Sequence, residues 1–202
     1  MNHQVPSAKV VPFKTKEGIS QHLIRRLHKK GEHYGLNRII PFPTAKIIVA
    51  NWVRLKCRYG CSRYNTSWCC PPATLKTDRV QTVLDEYETA ILLVGSTDRA
   101  DFYLNNNRKR AKQVRCWKGV VSLERLLFIE GYYKAFSLVS ECCALCKTCV
   151  YPQACKFPQE KRPSVESFSI DIFGTLKTLG LHGKVAGNRK ESYNYYSIIL
   201  LE

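Results

Sequence analysis

Cys143, Cys146 and Cys149 follow one another with two residues between successive members, and Cys155 follows after five more. This is the feature that most limits what the chain can fold into. Three thiols so close together need a loop that turns all of them to one side, and the C-x2-C-x2-C spacing suits a loop wrapped round one face of a cubane iron–sulfur cluster. The ferredoxin run is C-x2-C-x2-C-x3-C-P. Here the last gap is longer, and two residues intervene between Cys155 and Pro158. Cys155 either closes the same cluster or reaches a second one, and the first of these is the expectation. Zinc is the competing metal, but structural zinc usually takes two separated C-x2-4-C pairs, which this run does not provide. Cys142, next to Cys143, reads as a small buried residue rather than a ligand.

The remaining cysteines form a second group and one outlier. Cys57, Cys61, Cys69 and Cys70 lie close together, and Cys116 stands alone between the groups. Cys57, Cys61 and Cys70 are candidates for a second metal held by three thiolates, which leaves one iron open to a substrate or to another ligand. Cys116 is a candidate fourth ligand from a distance. The C-x3-C of Cys57 and Cys61 lacks the further C-x2-C of a radical-SAM site. Tyr59, Tyr64 and Trp68 alternate with Arg58 and Arg63. That mixture suits stacking on nucleotides, but aromatic shielding of a cluster is the more economical reading.

Ten cysteines in clusters, with a polar and basic first forty residues and no apolar leader, point to a reducing, cytoplasmic setting rather than a secreted disulfide scaffold. No run approaches the roughly 20 apolar residues of a membrane span. The formal net charge is +16, and a [4Fe–4S] core with four thiolates adds only about −2. An acidic partner is therefore expected, either a redox protein or, less directly, nucleic acid.

The expected fold is α/β or α+β, a mixed sheet packed with helices and carrying two cysteine-rich metal-binding loops. Residues 1–40 read as a basic extension with a short helix over 16–30, and residues 41–202 as a single cysteine-rich domain. Strands are expected at 45–55, 89–94, 135–139 and 195–201. Helices are expected at 74–87, 121–135 and 164–179. Residues 97–110 read as a loop opening a basic helix. Ser164 is placed as the N-cap of the last helix and Gly180 at its C-terminal cap. That helix start and Arg162 are expected to face the anionic cluster. Gly180, Gly183 and Gly187 lack the context of a phosphate loop.

Four segments in order resemble a known family: KCRYGCSRYNTSWCCPP at 56–72, LERLLFIEGYYKAFSL at 123–138, CALCKTCVYPQACKFP at 143–158 and RPSVESFSIDIFGTLKTLGL at 162–181. With the terminal strand they span about residues 45–202, and they are similar to the predicted metal-binding proteins grouped as domain of unknown function 2284, found mainly in anaerobic prokaryotes. The resemblance implies that Cys57, Cys61, Cys70, Cys143, Cys146, Cys149 and Cys155 are the family's cysteines. Cys69, Cys116 and Cys142 look like additions. It supplies no reaction. The functional expectation is a [4Fe–4S] protein in electron transfer or an accessory redox role. A redox enzyme with an open iron and a zinc module that binds nucleic acid are the alternatives.

Overall fold

Residues 18–98, 106–183, 185, 186, 188 and 190–202 are described by the computed structural model. Residues 1–17, with the first two positions of the expected helix over 16–30, residues 99–105 of the expected loop and Gly187 lie outside them. Of the two expected classes the chain takes α+β. Four strands, β1 (Leu36–Pro43), β2 (Thr89–Asp98), β3 (Phe136–Leu138) and β4 (Ser192–Leu200), form one sheet in the order β1-β2-β4-β3. Every strand pairing in it is antiparallel, rather than the mixture of a mixed sheet, and a parallel pairing appears only as the isolated bridge between Val139 and Ser164 among the described residues.

The central strands explain their own composition. In β2, Ile91 and Leu93 point to one face while Ala90, Leu92 and Val94 point to the other. Both faces are covered, so the run is apolar throughout rather than alternating. One face packs on helices α1 (Gln21–Glu32) and α4 (Asn106–Ile129), through Leu23, Leu27, Trp117, Val120 and Leu123. The other packs on helix α3 (Thr77–Leu84) and helix α5 (Ile172–Thr178), through Val80, Leu84, Ile172 and Leu176. At its start α1 is capped by Ser20, whose Oγ accepts from Leu23 N at 3.2 Å.

Two expected elements take a different form. Residues 45–55 do not make a strand. Thr44–Lys46 is a 3-10 turn, Val49 makes one isolated bridge to Ile170, and Asn51–Gly60 is helix α2. Only Val53 of that helix is buried, and Trp52 and Leu55 are exposed, so its apolar residues follow no core-facing stripe. The second is the helix over 164–179, which is interrupted. A 3-10 turn at Glu166–Phe168 ends on Ser169 in the left-handed region (φ 60°). Strand-like bonds then hold the chain out of helix: Ala50 N donates to Ser169 O at 2.8 Å and Asp171 N to Ile48 O at 2.8 Å. Asp171 caps the restarted helix by accepting from Gly174 N at 2.9 Å.

The expected caps are nonetheless in use. Ser164 Oγ accepts from Ser167 N at 3.0 Å at the head of the 3-10 turn. Gly180 (φ 67°) ends α5 with two bonds, its own N–H to Lys177 O at 3.1 Å and Leu181 N to Leu176 O at 2.9 Å. This is the Schellman pattern, which needs a left-handed residue that glycine adopts without a Cβ penalty.

Candidate metal centre

Nine of the ten cysteines gather round two neighbouring cavities, and the division does not follow the two groups in sequence. The first cavity is lined by Cys143, Cys146, Cys149 and Cys155 together with Cys69, and by Arg63, Trp68 and Phe157. The second is lined by Cys57, Cys61 and Cys70 together with Cys142, and by Tyr64, Glu141 and Glu166 among others. Each adjacent pair, Cys69-Cys70 and Cys142-Cys143, therefore sends one side chain to each cavity. Cys116 joins neither. It is buried in the core against the sheet, its thiol bonds with Ser140 and Tyr195, and burial pushes it up to about 12.

Local structure fixes where each thiol lies. Cys57 lies in the last turn of α2 and Cys61 is the extended residue that ends the helix; both side chains line the second cavity. Cys70 follows a tight turn in which its N–H donates to Ser67 O at 3.2 Å. The second loop leaves β3 through Val139, which is bridged to Ser164, and Ser140, whose N–H donates to Ser197 Oγ at 2.9 Å. Glu141 then takes a left-handed turn (φ 61°), with Gln113 donating to its carboxylate. That turn precedes the divergence of Cys142 and Cys143.

The two loops are tied to each other and to α4. Trp68 Nε1 donates to Gln153 O at 2.7 Å, and the Trp68 ring meets Tyr151 edge-on at 5.0 Å. Trp117 Nε1 donates to Glu160 O at 2.7 Å, and Arg110 Nη2 to Leu145 O at 2.9 Å. Arg162 does not turn to the cysteines as expected. Its guanidinium pairs with Glu124 on α4, Nη2 to Oε1 at 2.5 Å and Nε to Oε2 at 2.8 Å. A buried carboxylate attracts it more strongly than a distant cluster would.

Hydrogen bonds favour the thiolate of Cys143 at the first cavity. Cys69 and Cys143 share a hydrogen bond that holds Cys143 below the ordinary thiol range and, with burial, holds Cys69 far above it. The proton therefore stays on Cys69, whose S–H donates to the Cys143 sulfur. Cys143 also accepts from the Leu145 backbone and feels Arg63. Phe157 N donates to Cys155 Sγ at 3.4 Å. Burial raises Cys146, and so do its neighbours Cys143, Cys149 and Cys155, which places all four of these thiols within electrostatic reach of one another.

At the second cavity, burial first and then Cys142, Cys61 and Cys57 push Cys70 up to about 12. Cys57 is raised by burial and then by Cys61 and Glu166. Arg63 N donates to Cys61 Sγ at 3.4 Å. Desolvation raises the Glu166 carboxyl, and Glu141 adds to it.

Among the described residues, no three His, Cys, Asp or Glu side chains converge as ligands of a single bare ion. Four thiolates on one zinc would lie roughly 3.8 Å apart, given a Zn–S bond of about 2.3 Å in a tetrahedron. A cubane spreads its four thiolates to on the order of 6 Å. The donor chemistry at the first cavity, five thiols and no carboxylate, fits a soft metal or an iron–sulfur cluster; the second cavity sets four thiols beside the carboxylates of Glu141, Glu166 and Asp171. The first cavity is small, about 20 Å³, room for about one water. To surround a cubane its thiols must spread, and Cys146, Cys149 and Cys155, which are only half-buried, are the ones with room to turn outwards.

Sequence reasoning placed Cys69 and Cys142 outside the metal chemistry. Their only signal was adjacency: in each Cys-Cys pair one residue matched a motif and its neighbour was set aside. No curated protein and no solved structure matches the chain. One family model matches residues 40–201, four-fifths of the length, and covers both cysteine loops. With both cavities and their thiols inside the matched span, the chain belongs to the predicted metal-binding protein family DUF2284.

Proposed function

We propose that this metal-binding domain holds a [4Fe–4S] cluster through Cys143, Cys146, Cys149 and Cys155 and serves in electron transfer or as an accessory to a redox enzyme. The observation that carries this reading is the lining of one cavity by those four cysteines. The Phe157 and Leu145 amides and the Cys69 thiol supply three hydrogen bonds to sulfur, the type of support that ligated thiolates receive. Cationic groups balance the negative charge of a cluster. Arg63 lines the cavity, and Lys161 lies 5.1 Å over the ring of Trp68, which also lines it. When bound, such a cluster supplies one-electron redox chemistry. The residues of this chain hold it, limit the access of water and set its potential.

The test is anaerobic purification of the full chain with iron and acid-labile sulfide analysis, followed by EPR of the reduced protein. A brown protein with iron and sulfide near four each per cluster is expected. Loss of about four irons, with the matching sulfide, in Cys146→Ala or Cys149→Ala is expected as well. Colourless protein carrying stoichiometric zinc would instead support the zinc module.

A further inference from the structure

We propose a second iron–sulfur centre, held by Cys57, Cys61, Cys70 and Cys142, that shares the two Cys-Cys pairs with the first. This inference rests on the reading that the thiols of this domain take iron–sulfur clusters, and it adds a complete four-thiol site and a connection between sites. The three-thiolate reading of the first cysteine group left an iron open. Cys142, contributed by the other loop, supplies the missing donor.

Two observations carry it. The four thiols border one cavity of about 350 Å³, ample for a cubane. The Arg63 amide donates to the Cys61 sulfur, as the Phe157 amide does to Cys155 in the first site. In both sites the bond comes from the residue two positions after the cysteine.

The connection follows from covalent geometry. Consecutive Cα atoms are about 3.8 Å apart, so Cys69-Cys70 and Cys142-Cys143 bridge the two cavities twice within a few bonds. Cys142 and Cys143 would each bind a different cluster. On the other pair, Cys70 is a ligand of the second centre, and its neighbour Cys69 donates its S–H to a ligand of the first. An electron arriving at one centre has a short route to the other.

The experiment compares anaerobically reconstituted full-length protein with Cys142→Ala, Cys61→Ala and Cys146→Ala. Cys61 is exposed, so its loss tests the site even if Cys142→Ala misfolds; circular dichroism reports the fold. The expectation is about eight irons in the parent and about four in each variant, on four irons per cubane. Cys142→Ala and Cys61→Ala should lose the same EPR signal, and Cys146→Ala the other. A parent with about four irons, all kept in Cys142→Ala and Cys61→Ala, overturns the second centre and leaves the first standing. About four irons lost in Cys61→Ala and Cys142→Ala but kept in Cys146→Ala uphold the second centre and refute the first. Eight irons retained in Cys142→Ala remove Cys142 from the site. Zinc in place of iron overturns both.

Discussion

Arg162 meets Glu124 in a two-point ion pair, and the same carboxylate accepts from Ser137 N at 2.8 Å and Ser137 Oγ at 2.5 Å. Ser137 lies just before the second cysteine loop and Arg162 just after it. One buried carboxylate on α4 thus fastens both ends of the segment that carries Cys142 to Cys155.

Removing Arg162 leaves that carboxylate buried with only the serine donors. Breaking a buried pair in this way costs roughly 3–5 kcal/mol. Arg162→Ala is therefore expected to lower the urea midpoint strongly and, by loosening the loop, to reduce bound metal. The pH dependence has a definite sign. Burial pushes Glu124 up, but the bonds from Arg162 and Ser137 outweigh it and hold the carboxyl below its ordinary value. The stability it contributes is complete above the unfolded glutamate value of about 4.3 and is lost as pH falls through the folded value. Urea titrations of the metal-free chain between pH 7 and pH 3 should show this acid-dependent loss in the parent and a smaller one in Arg162→Ala. Equal stability of the two proteins at pH 7 would count against the clamp.

The strands with the strongest apolar pattern, β2 and β4, were legible in sequence because both their faces are covered. Strand β1 was not. Pro41 and Pro43 argue against a strand, but β1 is the edge of the sheet, where a missing N–H costs little. Helix α2 was taken for a strand because the apolar run before it suggested one, and its own Trp52 and Leu55 turn away from the core. The break at Ser169 depends on bonds to Ile48 and Ala50, more than a hundred residues away, which no local pattern carries. The same limit applies to the site. The C-x2-C-x2-C run was readable, but the separation of adjacent cysteines into two cavities depends on backbone turns such as that at Glu141.

Cys69 is expected to act through a hydrogen bond rather than as a ligand of the first cluster. It lies beside Cys143, which the loop motif already assigns, and its proton is held in place by burial and by the bond itself. Hydrogen bonds to cluster sulfurs raise the reduction potential. Cys69→Ala should keep the iron content of the parent while lowering the potential of the centre that Cys146→Ala removes. Redox titration followed by EPR makes the measurement. Loss of about four irons would instead make Cys69 a ligand.

Trp68 joins the two cysteine loops and covers the first cavity. Trp68→Ala removes a hydrogen bond worth about 0.5–1.5 kcal/mol net and an aromatic contact worth about 0.5–1.5 kcal/mol. A stability loss of about 1–3 kcal/mol by urea unfolding is expected. With the indole gone, water and oxygen reach the thiols of that cavity more directly. The visible absorbance of the variant should bleach several-fold faster in air than that of the parent. Unchanged bleaching with the expected stability loss would show that the indole fastens the loops without shielding the site.

The charges beside the two cavities differ, and this orders the two potentials. Arg63 lines the first cavity, and Lys156 acts on its Cys146. Glu141, Glu166 and Asp171 line the second, with Lys56 as the basic group among its lining and Arg54 acting on its Cys57. Adding an electron makes a cluster more negative, so nearby cations favour reduction and nearby carboxylates oppose it. The centre at Cys57, Cys61, Cys70 and Cys142 should therefore be the harder to reduce, and an electron entering there should pass to the other. In a potentiometric titration, the signal that Cys142→Ala removes should be the one that appears at lower potential. Glu141→Gln removes one of those carboxylate charges and is expected to raise that potential while leaving the other centre nearly unchanged. If the signal lost in Cys142→Ala instead appeared first on reduction, local charge would not be what sets the order of the two centres.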